Sequence, residues 1–426
     1  VFLFSFAFMI AGCSCSSGSD TDADAGEDIA ADDAGAEDTA AEDTPTEALP
    51  DADDEEITDD PEPDPPQDPA PDDGPVEADE PIDTLEVEDV EPEPEIPPTP
   101  EGCIEGDFTP YWGVLHCHTS YSDGEQLPSD AFAHARDVAG LDILYVTDHL
   151  EQLYLPTNRW ENCRTQADEA NAPGSFLAAC GYEYGSGFIL PWFWSTGHNN
   201  VFSIDYLMPE IQVDFHNFYS SVAACPDCIT QYNHPGSSEH ETWNDFEYFA
   251  DVDEKMNLFE FNSDPAWDLF FQAMDAGWHI SPMWNQDNHS ANWGTANDRR
   301  SGFFMADLTR DALHTAMRQR RSFMSYDKNA YVKIMAAEAC WMGSMLSGVA
   351  DIAIDAEAVD ADADDGFATI EFYGPGKTLL HSFECEGAIT CTARYDLAAT
   401  GPTYIVARAT QTDGNWLVSA PVWVTP

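Results

Sequence analysis

One boundary governs what this chain can fold into. Residues 20–100 hold 34 of its 81 Asp and Glu and none of its 15 Lys and Arg. Pieces such as TDADAGED and EPEPEIPPTP offer charge, proline and alanine but no aromatic side chain. Such a stretch cannot bury enough apolar surface to offset the entropy lost on ordering, so it is expected to stay a disordered, self-repelling spacer. Cation buffering or partner binding by the acidic run is the alternative role. Any folded core has to come from the residues beyond 100, and removing those 34 charges from the formal net charge of −66 leaves about −32 elsewhere. That sign argues against a nucleic-acid backbone or an anionic membrane surface as a general partner.

Ahead of the spacer, VFLFSFAFMIAGC is an apolar run too short to span a bilayer. It resembles a bacterial lipoprotein signal, residues 1–12, cut at its start because it lacks an initiator Met and a basic segment. The resemblance implies that Ile10, Ala11 and Gly12 precede a lipidated Cys13, with residues 13–100 as the tether. Ser14 after that cysteine implies outer-membrane retention, facing the periplasm or the surface. An ordinary secretory signal is the other reading. Beyond Cys13 and Cys15 there are nine cysteines, and Cys117 falls between two histidines on a strand that would bury it. The remaining eight, Cys103, Cys163, Cys180, Cys225, Cys228, Cys340, Cys385 and Cys391, are an even number suited to disulfides in an oxidising compartment. Cys385 with Cys391 reads as a local hairpin staple. CPDC at 225–228 reads as a structural disulfide before a redox pair or half a zinc site, because no second CxxC accompanies it.

From residue 108 onward, short apolar runs alternate with amphipathic stretches, which predicts parallel strands joined by crossover helices. YWGVLHCH, LDILYVTDH, SFLAACGYEYG, GHNNVFSI, CITQYNHPG, KMNLFEFNS and WHISPMWNQDNHS read as strands. PSDAFAHARDVAG, TNRWENCRTQADEAN and PAWDLFFQAMDAG read as helices, the first closed by Gly140. His118, His149, Glu183, His234, Asp287 and His289 all fall at or just after the carboxyl end of a strand, and His198 opens one. On a strand His116 and His118 face the same way and Cys117 the other. Two imidazoles thus aim at one spot, with Asp123 able to turn back over it from TSYSDG.

HCHTSYSDG, VTDH, GYEYG, GHNN, YNHPG and QDNH, in that order across residues 110–290, resemble the motifs of the polymerase and histidinol phosphatase (PHP) superfamily. The chain looks most like the branch that contains carbaryl-hydrolysing esterases. The resemblance implies a distorted seven-stranded β/α barrel over residues 101–330, holding two or three divalent transition metals. His116 and His118 would bind the first metal with Asp287, and Glu183 would bridge it to the second. His198 and His234 would complete the second, while Asp123, His149 and His289 would hold the third. Imidazole and carboxylate donors suit zinc, manganese or iron. A carboxylate shared by two cations sets them at the spacing that clamps attacking and leaving oxygens, with a bridging hydroxide as nucleophile.

Glu183, His116, His118 and Asp287 are therefore expected to carry catalysis, and Asp148, beside His149, to support a ligand or a proton transfer or to stay in the barrel wall. Arg159, Arg164, Arg299 and Arg300 are the candidates to meet a substrate anion, surface ion pairs being their other role. PWFWS at 191–195 with Trp267, Trp278, Trp284 and Trp293 reads either as core or as a pocket for an aryl or nucleoside ester. ADLTRDALHTAMRQRRSFMSYD reads as a closing helix. After it, residues 331–426 are short alternating runs separated by Gly, Asp and Pro, the pattern of an antiparallel sandwich that supports the barrel or binds a partner. The leading expectation is an envelope-tethered metal-dependent phosphoesterase acting on a small-molecule ester. A carboxylic or carbamic ester hydrolase with the same site, and a binding protein whose metal only braces the fold, are the rivals.

Overall fold

The computed structural model describes residues 99–185, 197–209, 215–237, 242–263 and 265–426. The signal, Cys13, the acidic spacer and PWFWS lie outside the described residues. In chain order, β1 (Thr109–Val114) leads to α1 (Pro128–Asp137), β2 (Ile143–Val146), one-turn α2 (Leu150–Leu153), α3 (Arg159–Ala170), β3 (Leu177–Cys180), β4 (Tyr182–Gly185) and β5 (His198–Phe202). Next come α4 (Phe215–Ala224), β6 (Ile229–Asn233), the short turn α5 (Trp243–Phe246), β7 (Met256–Glu260), α6 (Ala266–Ala276), β8 (Ser281–Met283), β9 (Arg300–Met305), α7 (Arg310–Arg318) and β10 (Ser322–Ser325). Strands β2, β3, β6 and β7 are buried along their whole length. Of these, β2 (ILYV) and β3 (LAAC) are unbroken apolar runs, as strands covered on both faces should be, while β6 and β7 bury polar side chains among the apolar ones.

The strands make a mixed α/β fold of several sheets. β1, β2 and β3 pair in parallel, and β9 pairs antiparallel with β1. A separate five-stranded sheet runs β4–β5–β6–β7–β8, in which β5 is antiparallel to both neighbours. The reversal brings the first residue of β5, His198, to the end where the other strands finish. Around Gly181, between β3 and β4, the chain passes so close to β5 that a Cβ would sit 2.5 Å from the Val201 carbonyl oxygen. The two sheets meet through single bridges, Cys117 with Asn288 and His149 with Glu183. Both bridges lie at the ligand end. Among the described residues the ladders do not continue along the strands, so hydrogen bonding does not close a seven-stranded barrel there.

One core cluster gathers Leu115, Ile143, Tyr145, Phe202, Leu258, Met283 and Phe303 from both sheets. Leu313, Ala316 and Met317 of α7 pack against them. The expected long closing helix is shorter than the sequence suggested. α7 ends at Arg318, Arg320 takes a left-handed φ of 56°, and SFMS continues as β10. A side chain in that conformation cannot propagate a right-handed helix.

The remaining chain forms β11 (Tyr331–Ala336), β12 (Cys340–Trp341), β13 (Met345–Ser347), β14 (Asp351–Val359), β15 (Phe367–Gly374), β16 (Thr378–Ala388), β17 (Thr390–Ala398), β18 (Thr403–Gln411), β19 (Trp416–Ser419) and β20 (Val422–Thr425). Burial alternates along β11 and β14, as one-face packing requires. The sheet β12–β11–β14–β17 packs Ile334, Ile354 and Ala356 against Ile370, Phe372, Ala407 and Leu417 of the other layer. That other layer is not a sheet of its own. It continues through β18, β19, β10 and β9 to β1, β2 and β3. The strand that delivers His116 is therefore built into the same sheet as the sandwich.

All eight cysteines expected to pair do so, as Cys103–Cys340, Cys163–Cys180, Cys225–Cys228 and Cys385–Cys391, and Cys117 is free and buried. Cys103–Cys340 closes 237 residues and Cys225–Cys228 only 3. Chain-entropy arithmetic assigns the long loop about 5 kcal/mol and the short one about 1.5 kcal/mol. Calorimetry of the two double-alanine variants should show the larger loss of unfolding temperature for Cys103/Cys340. Equal losses would contradict the entropic account.

Candidate metal centre

The centre begins at the end of β1. Beyond Val114 the chain stays extended, so His116 and His118 share one face and Cys117 turns its thiol to the Tyr145 carbonyl at 3.3 Å. Both histidines are fully buried. The loop after β8 runs alongside, with Asp287 N–H donating to the His116 carbonyl at 3.0 Å and His118 N–H to the Asn288 carbonyl at 2.9 Å. Those two bonds fix Asp287 opposite the imidazoles. Its Oδ1 lies 3.3 Å from His116 Nε2 and 3.1 Å from His118 Nε2, and the two Nε2 atoms are 3.3 Å apart.

Glu183, on β4 and 1% exposed, is the hub. Its carboxylate lies 3.4 Å from His116 Nε2, 3.4 Å from His118 Nε2, 3.0 Å from His149 Nδ1, 3.0 Å from His198 Nδ1 and 3.2 Å from His234 Nε2. Asn233 also donates to it at 2.9 Å. Asp123 makes a second focus from the turn after β1, 3.5 Å from His149 Nε2 and 3.3 Å from His289 Nε2. Three groups of ligand atoms result, each within 4.8 Å of one another: His116, His118 and Glu183; Glu183, His198 and His234; His118, Asp123, His149 and His289. These groups take in eight of the nine sequence candidates; Asp287 is in none of them, though its Oδ1 lies against His116 and His118. Glu183 belongs to two groups as expected, and His118 leans on the third as well.

These side chains fit divalent cations by their donor chemistry. Nitrogens and carboxylate oxygens point at shared spaces with no thiolate among them, the set that zinc, manganese and iron take. Without cations the groups neutralise one another. Burial works against charge on His116, yet Glu260, Asp287 and Glu183 raise it well above its ordinary value. Burial opposes charge on His149 too, and Glu183 and Asp123 push it up to about 11. The bond to Asp123 raises His289. Burial would raise the carboxyls, but the surrounding imidazoles hold Glu183, Asp287 and Asp123 below their usual range. Burial lowers His118.

Some expected residues stand elsewhere. Asp148 is buried, and its carboxylate accepts from Thr119 N–H at 2.7 Å, Thr119 Oγ1 at 2.7 Å and Ser122 Oγ at 2.6 Å. It anchors the turn that carries Asp123, with its bonds spent there. Arg164 donates to the Asp205 carbonyl, Arg299 lies over Tyr326 and Trp284, and buried Arg300 donates to the carbonyls of Gly294, Asn297 and Arg299. All three side chains are thus engaged with backbone carbonyls or aromatic rings. Arg159 donates to the Tyr121 and Gln152 carbonyls, beside the ligand loops. Trp278, Trp284 and Trp293 are buried core, and Trp267 packs on Phe271, Tyr373 and Trp416.

Glu260 was missed. Fully buried at the end of β7, it lies 3.0 Å from His116 Nδ1 and accepts from His234 N–H at 2.6 Å. Taking the Nδ1 proton turns the His116 Nε2 lone pair inward, the outer partner that ligating imidazoles require. The signal was a carboxylate closing an apolar strand, like Glu183.

No protein-family model and no curated protein matches the chain. Among solved structures, it is similar to a two-domain protein containing a predicted PHP-like metal-dependent phosphoesterase from Bacteroides vulgatus. That likeness has 15% identity over 77% of this chain and 99% of that one, with a TM-score of 0.41. It is also similar to a lesion-specific endonuclease from Pyrococcus furiosus, at 15% identity over 49% of this chain and 56% of that one, TM-score 0.35. A Clostridium thermocellum fibronectin(III)-like module matches at 30% identity over 18% of this chain and 80% of that one, TM-score 0.14. Scores this low leave the functional reading to the site's own chemistry.

Two outcomes are expected. Ligation needs neutral imidazoles, whereas the surrounding carboxylates raise His116, His149 and His289 toward their charged forms, so loading should expel protons and apparent affinity should rise with pH. Calorimetric titration in buffers of different ionisation enthalpy should show net proton release; none would contradict this charge assignment. Glu260→Gln should weaken cation affinity by about 10–100-fold in a chelator competition while the protein stays folded.

Proposed function

We propose that this chain is a metal-dependent phosphoesterase, and one observation carries the reading. A single buried carboxylate, Glu183, belongs to two ligand groups at once. Cations held across a shared carboxylate supply Lewis-acid charge to phosphoryl oxygens and lower the pKa of water at the site. The chain's own part is positional. Asn233 and five imidazoles fix Glu183, Glu260 fixes His116, and Asp148 fixes the turn that presents Asp123.

The exposure gradient supports an orientation for the substrate. His116, His118 and Glu183 are buried, whereas His289 and Asp123 are 39% and 49% exposed. An ester would approach over the Asp123 and His289 side, with its reacting phosphorus above Glu183. With β3 and β4 read as one strand bent at Gly181, strands β1 to β8 supply the seven staves of the distorted PHP-type barrel. An aromatic or nucleoside leaving group remains part of the proposal, resting on PWFWS now that the other tryptophans are core. So does the envelope tether at Cys13, for which the four disulfides, the mark of an oxidising compartment, give support.

The test is metal content by mass spectrometry alongside turnover of aryl phosphate monoesters, diesters and aryl acetates. Two or three equivalents of transition metal with phosphate release are expected, and Glu183→Gln and His116→Ala should each lower kcat/KM by at least about 1,000-fold. Near-full activity in either variant sinks the reading. Turnover of aryl acetate alone would shift it to carboxylic esters, and bound metal without turnover to a bracing role.

A further inference from the structure

A second cluster lies in the β half, built only from oxygen donors. Asp327 follows β10, Asp360 and Asp365 sit in the connection DADADDG between β14 and β15, and each offers a carboxylate oxygen within 4.8 Å of the others. Asp360 is 2% exposed and Asp327 8%. Among the described residues no Lys, Arg or His forms an ion pair with any of the three. Arg300 is near enough to interact electrostatically with Asp327, but it donates to the Gly294, Asn297 and Arg299 carbonyls. Asp364 and Asp413 add negative charge near Asp365. Buried carboxylates facing one another without a counter-charge cost several kcal/mol apiece, so something positive belongs between them.

An independent observation points to the same place. Gln411, at the end of β18 and 1% exposed, reaches into the cluster, where its amide nitrogen donates to Asp360 Oδ2 at 2.6 Å and to Asp327 Oδ2 at 3.4 Å. Its carbonyl oxygen is buried and has no partner. The side-chain oxygen of Asn329, two residues from Asp327, is buried without one as well. A lone proton shared between carboxylates would leave the Gln411 oxygen orphaned. An ion that gathers six to eight oxygens would not.

We propose that Asp327, Asp360 and Asp365, with Gln411 beside them, form a calcium site that ties the chain after β10 to the β14–β15 loop. Oxygen-only donors exclude the zinc-type preference of the imidazole centre. Ligands drawn from loops adapt to calcium's flexible coordination better than to the strict octahedron and retained waters of magnesium. The site joins the end of β10, the β14–β15 loop and the end of β18. β10 is separated from β1, the strand that leads to His116 and His118, only by β9, so calcium braces the sheet that supplies those two imidazoles.

The test uses the full chain after chelator treatment. Terbium(III) serves as the calcium probe, since Tyr326 adjoins Asp327 and its ring lies 4.8 Å from that of Trp416, placing light-absorbing rings beside the site. Sensitised terbium emission saturating at one equivalent and reversed by calcium is expected, with calcium raising the unfolding midpoint by several degrees. Asp365→Asn and Asp360→Asn should each weaken calcium at least tenfold. In chelator, Asp365→Asn should unfold at or above the wild-type temperature, because the substitution relieves like-charge repulsion. If Asp360→Asn does not fold, the partly exposed Asp365 carries the test. The same wild-type midpoint in calcium and in chelator would overturn the site. A terbium response unchanged in the folded variants would overturn it too, by placing the ion elsewhere.

Discussion

Everything at the imidazole centre is arranged around one buried carboxylate. Removing Glu183 from water is costly, and five imidazoles within 3.4 Å offset that cost in the metal-free chain. The same lone pairs then form the ligand set for cations, so metal binding replaces protons without rebuilding the site. To gather five rings around one oxygen pair, strands from both sheets must finish at the same end. The reversed β5 is what allows His198 to join them.

Rigidity comes from where the ligands are anchored. His116 and His118 extend a strand whose neighbours belong to the eleven-stranded sheet, while Glu183, His198 and His234 come from the five-stranded one. The two meet through the single bridges Cys117–Asn288 and His149–Glu183, and these bridges involve or adjoin ligands. The weakest seam of the scaffold is thus the place where cations would add the most cohesion. Glu260 and Asn233 lie in the wall on one side of that seam, and Asp148 holds the turn on the other.

The candidate ligands came from the ordered motifs of the PHP resemblance, helped by a local signal, since His118, His149, Glu183, His234, Asp287 and His289 fall at or just after the ends of short apolar runs. The HCH spacing on a strand fixed which two side chains share a face, and cysteine parity foretold the disulfides. What the sequence hid was non-local. Glu260 resembled any strand-end acid until His116 was found beside it. Arg300 and Trp278 have the chemistry of a binding site but are spent on carbonyls and core, a distinction only burial reveals. RRSFMSYD kept a helical look because nothing in its composition announces the left-handed Arg320, and the alternating C-terminal runs gave no hint that their sheet would continue into β1.

The central claim, that Glu183 is shared between two cations, is tested most directly by electron paramagnetic resonance of the manganese(II)-loaded chain. A shared carboxylate keeps two ions a few ångströms apart and couples their spins. The account predicts an exchange-coupled spectrum that disappears in Glu183→Ala while binding of isolated ions persists. The spectrum of isolated ions at every loading, in the unaltered chain, would contradict it.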